Sequence, residues 1–512
     1  MGTVTRIGLV ELPAIKLCDP SGKNWTAFRQ HEPLVSKQIL MAQLRAYGYL
    51  TSLINLKCGS QEHLFGEVRW RGLLLQKKFG GNSIEGYPAD MFDVWGITVN
   101  YMQEREIAQR IIRYLASQGG RVVVGGSDAL AEPAMYLAAG AMVVVTDKSG
   151  AINRSVIEYV MGRAADSEWR QMTVTGGGKI LGRRGPALSP EDWPLPDVDV
   201  AIACLGTQYW EGEIPPFLLP IGSAIVDIGC DRKCDFCQTP TYKLGYKSMS
   251  PGVALKWFAK QKEAGARSVI CPSDQFLGRV LWEEGRREVL RIMEGIRELG
   301  LSVLWGNGLE LKKATVGRGL PGGDLTPDNE LCEALWGWDG RIGCYNAYIP
   351  GERPVRGEAA YQKLLPWEEH VRLMRTMVQT GIPDISYGII VGLPDDSADE
   401  LSRLEDALYE LWFLLKRENP NLQFRVIPFS LRPLPGTTLT KGLASEGLVA
   451  NPDPAVCGGF WTACANTRYM TYEAVSDWQA RLSQIGDLRY ARHQGVTSLL
   501  REASQPQAIP AL

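Results

Sequence analysis

Apolar and polar residues alternate along the first 150 positions in blocks that predict strands and helices in turn. Five short apolar runs have the length and composition of buried strands: 5–12, 50–56, 92–99, 121–124 and 141–146. Three longer segments carry apolar residues at helical spacing: 34–47, 104–117 and 132–139. Strands that alternate with helices predict an α/β fold with a doubly wound, mostly parallel sheet. Ligands of such a sheet bind beyond the carboxyl ends of its strands.

The alternation of predicted strands and helices resumes after a segment that shows no such pattern. Residues 172–199 are rich in Gly, Pro and Arg and show no sustained periodicity, which predicts a linker. Beyond it we predict about six strands, the first at 224–228, which alternate with helices as far as residue 428. Six βα units favour a partial (β/α) barrel with its chemistry at the carboxyl ends of the strands.

Three parts are therefore expected along the chain. Residues 1–200 form a Rossmann-like domain with its linker, 201–430 form the barrel, and 431–512 form a C-terminal extension over the active site. The last residues, 504–512, are expected to be disordered.

Composition and charge argue against several kinds of partner. The 55 basic and 57 acidic residues leave a net charge of −2, with no Lys/Arg-rich block, so nothing electrostatic favours nucleic acid. The longest apolar stretches, near 134–146 and 407–415, are too short to span a bilayer. The first residues lack a secretory apolar segment. We expect a cytoplasmic protein that binds neither nucleic acid nor membrane.

Three cysteines carry the most specific signal in the chain. Cys230, Cys234 and Cys237 have the spacing CxxxCxxC, which places three thiolates on one tight loop. Thiolates select iron–sulfur clusters or zinc. A structural zinc site needs a fourth ligand nearby, and the nearest histidine, His370, lies far downstream. The other eight cysteines are scattered and are expected to be small buried residues.

With Gly229 before the first cysteine and Phe236 before the last, this loop resembles the cluster loop of the radical S-adenosylmethionine (SAM) superfamily. There, three cysteines hold a 4Fe–4S cluster whose open iron binds the amino and carboxylate groups of SAM. The resemblance implies the same roles for Cys230, Cys234 and Cys237, with a flavodoxin or ferredoxin as electron donor. The alternative is three incidental cysteines in a reduced protein.

Two further segments resemble SAM-binding parts of that superfamily. Residues 387–394 resemble the fifth-strand motif that packs against adenine, although any buried strand entering a turn would look similar. The motif implies SAM contacts from Gly388, Ile389, Val391 and Gly392. Residues 433–437, Pro-Leu-Pro-Gly-Thr, resemble the segment that closes the barrel, where proline and glycine would also shape an ordinary turn.

Two carboxylates stand where the superfamily positions SAM. Glu352 lies in a segment resembling the strand end that often reads Gly-x-Glu-Ser, and it would orient SAM or substrate unless it is a solvated loop charge. Asp274 follows the second barrel strand, where members contact the SAM amino group. No Gly-Gly-Glu occurs there. Asp274 would hydrogen-bond the ammonium or approach the open iron, and the alternative is a turn or capping aspartate.

The predicted N-terminal sheet narrows the resemblance to cobalamin-dependent radical SAM enzymes. Asn100 and Tyr101 follow its third strand, and Gly125, Gly126 and Ser127 follow its fourth. These positions are implied cobalamin contacts, because small residues there would let a broad corrin ring lie across the sheet. The Asp-x-His-x-x-Gly pattern that supplies a histidine to cobalt is absent. Cobalamin would therefore bind without a protein histidine on its lower face.

Arg69 and Arg71 lie beyond the second predicted strand, on the side where the corrin would rest. A fixed cation near cobalt disfavours a further ligand and makes a bound methyl group more electrophilic. The tryptophan C2-methyltransferases of thiopeptide antibiotic biosynthesis use an arginine in this way, and likeness to them implies that role for Arg69. The alternative is a surface arginine, as most arginines are.

Together these resemblances imply a C-methyltransferase that moves a methyl group from SAM through cobalamin to a carbon of a small, aromatic substrate. The implied catalytic residues are Arg69, Asp274 and Glu352, and the most specific expectation is methylation of L-tryptophan at C2 in antibiotic biosynthesis. One alternative is a cobalamin-dependent radical SAM oxidase or cyclase that transfers no methyl group. The other is a non-enzymatic cobalamin or iron–sulfur sensor.

Overall fold

Two parallel sheets organise the chain. The computed structural model describes residues 4–26, 31–163, 169–173, 178–208 and 214–487. The expected disorder of 504–512 concerns residues outside these ranges. Within them, no helix is both long and apolar enough to cross a membrane.

The first part of the described chain contains ten strands and six helices. The strands are β1 (Arg6–Glu11), β2 (Ala14–Cys18), β3 (Leu50–Asn55), β4 (Glu62–Trp70), β5 (Leu73–Gly80), β6 (Val94–Thr98), β7 (Val122–Gly125), β8 (Val143–Val145), β9 (Trp169–Thr173) and β10 (Lys179–Arg183). The helices are α1 (Val35–Ala46), α2 (Arg105–Ser117), α3 (Ser127–Ala131), α4 (Pro133–Ala138), α5 (Asn153–Val160) and α6 (Val198–Ala203).

Seven of these strands form one sheet in the order β3–β1–β6–β7–β8–β10–β9. All neighbours pair in parallel except β10 and β9, which pair antiparallel. From β1 the chain adds β3 on one side and then β6, β7, β8 and β10 on the other side. Because the connections run in both directions from β1, helices cover both faces of the sheet. This confirms the doubly wound sheet predicted from the alternation of strands and helices.

One prediction for this part was wrong in detail, and another was confirmed. The segment 172–199 is not simply a linker, because β10 and the end of β9 complete the sheet. These strands are too short, and too rich in glycine and arginine, to show periodicity. The helix predicted at 132–139 is present as α4, and a further short helix, α3, ends just before it, at Ala131, where Glu132 has φ −128° and ψ 54°. Pro133 disfavours helical angles in the residue before it.

A second, three-stranded sheet was not predicted. It has the order β2–β5–β4 with antiparallel neighbours. Leu17, Trp70 and Leu75 from its strands share an apolar core with Val456 and Trp461 of the C-terminal extension. This small sheet therefore joins the N-terminal part of the chain to its C-terminal part.

Eight further strands and five helices build the second large unit. The strands are β11 (Ile221–Ser223), β12 (Asp227–Ile228), β13 (Lys247–Ser248), β14 (Ser268–Ile270), β15 (Ser302–Trp305), β16 (Cys344–Glu352), β17 (Asp384–Val391) and β18 (Gln423–Ser430). The helices are α7 (Pro251–Glu263), α8 (Gly285–Glu298), α9 (Asn329–Trp336), α10 (Trp367–Gln379) and α11 (Ala398–Glu418).

Six of the strands form a parallel sheet in the order β11–β14–β15–β16–β17–β18. Apolar side chains of these strands and of α7 to α11 form one continuous core. Ser250 and Ser397 cap α7 and α11 by accepting hydrogen bonds from the backbone of the first turn. The partial (β/α)6 barrel predicted from the sequence is confirmed.

The first barrel strand lies earlier than predicted. We expected it at 224–228, but β11 ends at Ser223, and β12 instead pairs antiparallel with β13. The backbone leaves the sheet here because the N–H of Val226 donates to Ser273 Oγ at 3.1 Å rather than to a neighbouring strand. The shift matters because β12 leads directly into the cysteine loop.

The C-terminal extension contributes three helices within the described residues: α12 (Thr438–Ser445), α13 (Pro454–Gly458) and α14 (Tyr472–Leu482). Trp70 Nε1 of β4 donates to the carbonyl oxygen of Ala463 at 2.8 Å. Lys77 of β5 pairs with Asp453 at 2.6 Å. The extension is thereby fixed against the three-stranded sheet as well as the barrel.

Candidate active site

The loop that carries the three cysteines is closed at its base by a short antiparallel ladder. Ile228 of β12 pairs with Lys247 of β13, so residues 229–246 leave and return at one place. Gly229 has φ +79°, and an added Cβ there would lie 1.8 Å from the carbonyl oxygen of Gly245. The loop therefore requires glycine immediately before its first cysteine.

Cys230, Cys234 and Cys237 are partly accessible, whereas most other cysteines are buried. Cys58 is the exception to our expectation, because it is exposed. Among the described residues, no group of three or more His, Cys, Asp or Glu side chains is arranged to hold a metal ion. Cluster ligation by the three cysteines stays a prediction, which rests on the chemistry of the thiols.

The charged side chains around the loop are paired with one another. Asp231 Oδ1 lies 2.5 Å from Lys313 Nζ, and Arg232 Nε donates to Glu310 at 3.0 Å. Gln275 Nε2 donates to the same Glu310 carboxylate at 2.8 Å and lies 3.8 Å from Sγ of the first cysteine. These carboxylates are already engaged, so the loop offers thiols as ligands. A donor set of thiolates fits an iron–sulfur cluster.

Burial controls the protonation of two of the thiols. It raises the pKa of the Cys230 thiol, and it raises the pKa of the Cys234 thiol to about 12. The Lys363 ammonium acts in the opposite direction on the pKa of Cys234. A metal-bound cysteine is a thiolate, so cluster assembly would release protons from this loop.

Glu352 ends β16 next to the cysteine loop in an unusual conformation. Its φ is +47°, and the pairing of β16 with β17 shifts register between Pro350 and Glu352. Lys363 Nζ donates to Glu352 Oε1 at 2.6 Å, whereas the buried Oε2 has no hydrogen-bond partner. Burial raises the pKa of this carboxyl group. Strain of this kind is concentrated at functional sites, and the free oxygen could accept an ammonium group.

A cavity of about 570 Å³ lies where the first sheet faces the barrel. Thr98 of β6, Gly125 of β7 and Val145 of β8 line it from the strand ends of the sheet. Ile228 and Thr239, at the start and in the middle of the cysteine loop region, line it from the barrel. The cavity therefore occupies the place where both folds bind ligands, beyond the carboxyl ends of their strands.

The five implied cobalamin contacts all line this cavity: Asn100, Tyr101, Gly125, Gly126 and Ser127. The N–H of Ser127 donates to Asn100 Oδ1 at 3.2 Å, which ties two strand ends together. An added Cβ at Gly126 (φ +107°) would lie 2.3 Å from the carbonyl oxygen of Val99, whereas one at Gly125 would meet no atom within 4 Å. Gly125 thus leaves open space on the sheet side of the cavity. A flat ring fits against such a surface.

Asp274 also lines the cavity, and its side chain is exposed to it. Its Oδ2 accepts the N–H of Gly229 at 2.7 Å, so it contacts the cysteine loop directly. The surrounding protein raises the pKa of this carboxyl group, although the Gly229 hydrogen bond and the charge of Lys148 oppose that effect. The position agrees with a group that faces SAM or substrate.

Two cations of the cavity were missed from the sequence: Lys148 and Arg432. Lys148 follows β8 within the polar run Thr-Asp-Lys-Ser, and Arg432 follows β18 by two residues. Their position directly after an apolar strand is a signal that could have identified them.

Arg69 is not brought to the cavity. Along β4 the side chains alternate, so Trp70 points into the core while Arg69 is exposed. The carbonyl oxygen of Arg69 accepts a hydrogen bond from Asn451, and Arg71 pairs with Asp477 at 2.6 Å. We inferred a place beneath the corrin from sequence position alone. The structure instead places both arginines on the unpredicted three-stranded sheet.

The predicted adenine-binding residues lie in the barrel core rather than in the cavity lining. Ile389 and Val391 of β17 are fully buried, and Ile390 between them keeps accessible surface. An added Cβ at Gly388 would overlap the Tyr348 hydroxyl, and one at Gly392 would overlap Val475. These glycines are explained by close protein packing. A SAM contact from this strand end stays a prediction.

The segment 433–437 holds the cysteine loop against the extension. Gln238 Nε2 donates to the carbonyl oxygen of Pro435 at 2.9 Å, and the N–H of Leu439 donates to the carbonyl oxygen of Asp235 at 3.1 Å. Thr437 caps α12 by accepting from the N–H of Thr440. The segment therefore forms a turn, as the alternative interpretation of its sequence predicted, and this turn also contacts the cysteine loop.

No protein-family model and no curated protein matches the chain. Solved structures do match it. The cobalamin-dependent S-adenosylmethionine radical enzyme OxsB, with aqua-cobalamin and S-adenosylmethionine bound, has a TM-score of 0.67 at 13% identity, over 98% of this chain and 71% of that one. The radical S-adenosylmethionine methyltransferase TsrM from Kitasatospora setae, with cobalamin and a 4Fe–4S cluster bound, has a TM-score of 0.55 at 14% identity, over 87% and 75%. The chain has the fold of the cobalamin-dependent radical S-adenosylmethionine enzymes.

Proposed function

We propose that this chain is a cobalamin-dependent radical SAM enzyme that methylates a carbon atom of a small substrate. One observation carries the proposal: Gln238 and Thr239, which directly follow the last cysteine, line the same cavity as the glycine-containing strand ends of the first sheet. A cluster-bound SAM and a corrin would then meet within one enclosed space. In the same overall fold, OxsB has aqua-cobalamin and SAM bound, and TsrM has cobalamin and a 4Fe–4S cluster bound.

Each cofactor has residues that would hold it. Cys230, Cys234 and Cys237 would bind a 4Fe–4S cluster, and the carboxylates of Asp274 and Glu352 stand beside that loop where an ammonium group of SAM would lie. When bound, these cofactors supply the methyl group and the redox chemistry, while the protein positions the reacting atoms and excludes water.

On the sheet side, Gly125 and Gly126 would lie beneath the corrin, and Asn100 and Ser127 offer polar groups at its edge. None of the described residues that line the cavity is a histidine. Cobalamin would therefore bind here through shape and peripheral hydrogen bonds.

The substrate is the least constrained part of the proposal. Methylation of L-tryptophan at C2 in antibiotic biosynthesis is the most specific form of it, and the fold of a methyltransferase among the similar structures supports methyl transfer. The exposed position of Arg69 removes one of the two sequence features on which the tryptophan likeness rested. A flavodoxin or ferredoxin would supply electrons to the cluster.

A second candidate is an oxidation or cyclisation without methyl transfer. The similarity to OxsB exceeds the similarity to TsrM in TM-score and in the share of this chain that is covered, and OxsB is named only as a cobalamin-dependent SAM radical enzyme. The two candidates need the same cofactors and the same cavity. They differ in whether the methyl group of SAM enters the product.

Labelled SAM separates them. Anaerobically reconstituted protein is incubated with SAM that carries a deuterated methyl group and with L-tryptophan or other aromatic acids, and the products are analysed by mass spectrometry. The proposal expects a product that contains the labelled methyl group, and it expects none from the variant with Cys230, Cys234 and Cys237 changed to Ala. Cys58→Ala is the matched control. Turnover to 5′-deoxyadenosine and an unlabelled product would favour the second candidate, and no turnover with any aromatic acid would count against both.

A further inference from the structure

Two cations, Lys148 and Arg432, line the cavity, and within the described residues neither is paired with a carboxylate. Lys148 Nζ donates to Ser127 Oγ at 3.0 Å and lies 5.3 Å from the centre of the Tyr242 ring. Arg432 lies 5.6 Å from the centre of the Phe460 ring, and its buried Nε has no hydrogen-bond partner. Across the ranges that the structure describes, neither side chain forms an ion pair. Lys148 belongs to the first domain and Arg432 to the segment after the barrel, so the cavity brings them together.

The surroundings compensate the positive charge of Lys148 only in part and supply no carboxylate that acts on Arg432. Burial lowers the pKa of Lys148 and of Arg432. Asp274 is the acidic group whose charge acts on Lys148, but its carboxylate is hydrogen-bonded to the cysteine loop. The groups whose charges act on Arg432 are the Tyr101 phenol and the Cys464 thiol, which are neutral near pH 7. Both side chains are partly buried, and a bound anion reduces the cost of holding a cation there without an ion pair.

Two tyrosines make the cations parts of one site. Tyr242 packs on Lys148, and its electrostatic surroundings include Tyr101 and Cys237. Tyr101 also lines the cavity, and its phenol is one of the groups whose charge acts on Arg432. All four side chains therefore line the same cavity, beside the cysteine loop.

We propose that Lys148 and Arg432, with the hydroxyls of Tyr101 and Tyr242, form an anion site that binds an acidic group of the substrate. A guanidinium and an ammonium suit a carboxylate or a phosphate, and phenol hydroxyls add hydrogen bonds of defined direction. The substrate would thus be an organic acid or a phosphate ester, held with its acidic group beside the cysteine loop. This inference rests on the proposed function, since it treats the cavity as the place of the substrate.

Matched pairs of small aromatic probes test the site directly. Phenylacetate is compared with phenylacetamide, and phenyl phosphate with phenol, by titration calorimetry on protein reconstituted with cluster and cobalamin. We expect at least one anion to bind about tenfold or more tightly than its neutral partner, which is the effect of about 1.4 kcal/mol. The larger ratio identifies carboxylate or phosphate as the natural group. Equal binding within both pairs would overturn the proposal.

Substitutions assign the preference to the two cations. Arg432→Gln and Lys148→Gln should each reduce the anion-to-neutral ratio by about fivefold or more, and Arg432→Lys should retain most of it. Arg154→Gln, an exposed arginine outside the cavity lining, is the matched control and should leave the ratio unchanged. An unchanged ratio in both cavity variants would refute the assignment.

The acidic groups of the cofactors are the competing explanation. SAM has a carboxylate and cobalamin has a phosphate, so their dissociation constants are measured for the same variants. Loss of SAM or cobalamin binding together with an unchanged probe ratio would assign the cations to a cofactor and overturn the proposal. The proposed function fails separately, through absence of labelled or 5′-deoxyadenosine products in the wild-type protein.

Discussion

At the scale of single residues, the barrel core holds a histidine whose burial disfavours the charged form of its ring. His370 of α10 is 3% exposed, and its Nε2 lies 2.7 Å from the Tyr387 hydroxyl. Its ring stacks on Trp367. Burial lowers the pKa of His370 to about 4, because no neighbouring carboxylate compensates a charged imidazole. The neutral ring is therefore the folded form at neutral pH.

This burial makes stability depend on pH. The pKa of His370 is lower in the folded than in the unfolded chain, so the unfolded chain binds more protons as pH falls below about 6.5, and folding stability decreases. We expect the wild-type protein to lose about 2 kcal/mol more than His370→Gln between pH 7 and pH 5. Urea unfolding of both proteins at the two pH values measures the difference. Parallel losses in the two proteins would contradict the neutral buried ring.

The residues of the site differ in how well the sequence reveals them. Asn100, Gly125 and Ser127 were identified because they directly follow apolar runs, and chain order places such positions at a strand end. Arg69 was misplaced because it belongs to a hairpin whose alternation of inward and outward residues depends on its partner, the C-terminal extension. Neither Lys148 nor Arg432 belongs to a motif, and their importance follows from having no ion-pair partner within the described residues.

At the scale of elements, the sequence indicates where a helix begins and ends when its capping residue and its pattern of buried side chains point to the same residues. Helix α11 begins directly after Ser397, which caps its start, and six side chains along it are buried. Strands β9 and β10 were overlooked because five-residue strands with few apolar residues have no clear period. The strand at 227–228 was assigned to the wrong sheet because an apolar run does not state its partner. Pairing is a property of the tertiary structure.

One strand end offers a clean test of the cavity. Gly125→Ala adds a methyl group where no atom lies within 4 Å, so we expect normal stability but cobalamin binding weakened about tenfold. Gly86→Ala, which also meets no atom within 4 Å and lies outside the cavity lining, should bind cobalamin like wild type. Absorbance titration with hydroxocobalamin measures both. Unweakened binding by Gly125→Ala would show that the ring does not lie on this surface.

At the scale of the whole molecule, the cavity depends on how three units are held together. The first sheet and the barrel supply its walls, and the extension supplies Arg432 and Leu434. The three-stranded sheet fixes the extension through Trp70 and through Lys77, which pairs with Glu106 and Asp453. Sequence patterns predicted the two large units because strands alternate with helices in each of them. The same patterns could not show the small sheet that joins the two units.

Two neighbouring residues of β4 should therefore behave very differently. Trp70→Ala removes a side chain that is 1% exposed, together with its hydrogen bond to Ala463, and should lower the free energy of unfolding by about 3–5 kcal/mol. Arg69→Ala should change it by less than about 0.5 kcal/mol and leave cobalamin binding intact. Chemical unfolding and cobalamin titration check both. Weakened cobalamin binding by Arg69→Ala would show that this arginine does belong to the cobalamin site.

The central claim is that one cavity accommodates both a cluster-bound SAM and a corrin. Electron paramagnetic resonance of anaerobically reconstituted, reduced protein tests it most directly. The account predicts a 4Fe–4S signal from about four irons per chain, a change of that signal on adding SAM, and one bound cobalamin. The same sample of the triple Cys→Ala variant should keep the cobalamin and lose the signal. The account would be contradicted if the wild-type protein assembled no cubane cluster, or if its cluster signal did not change when SAM was added.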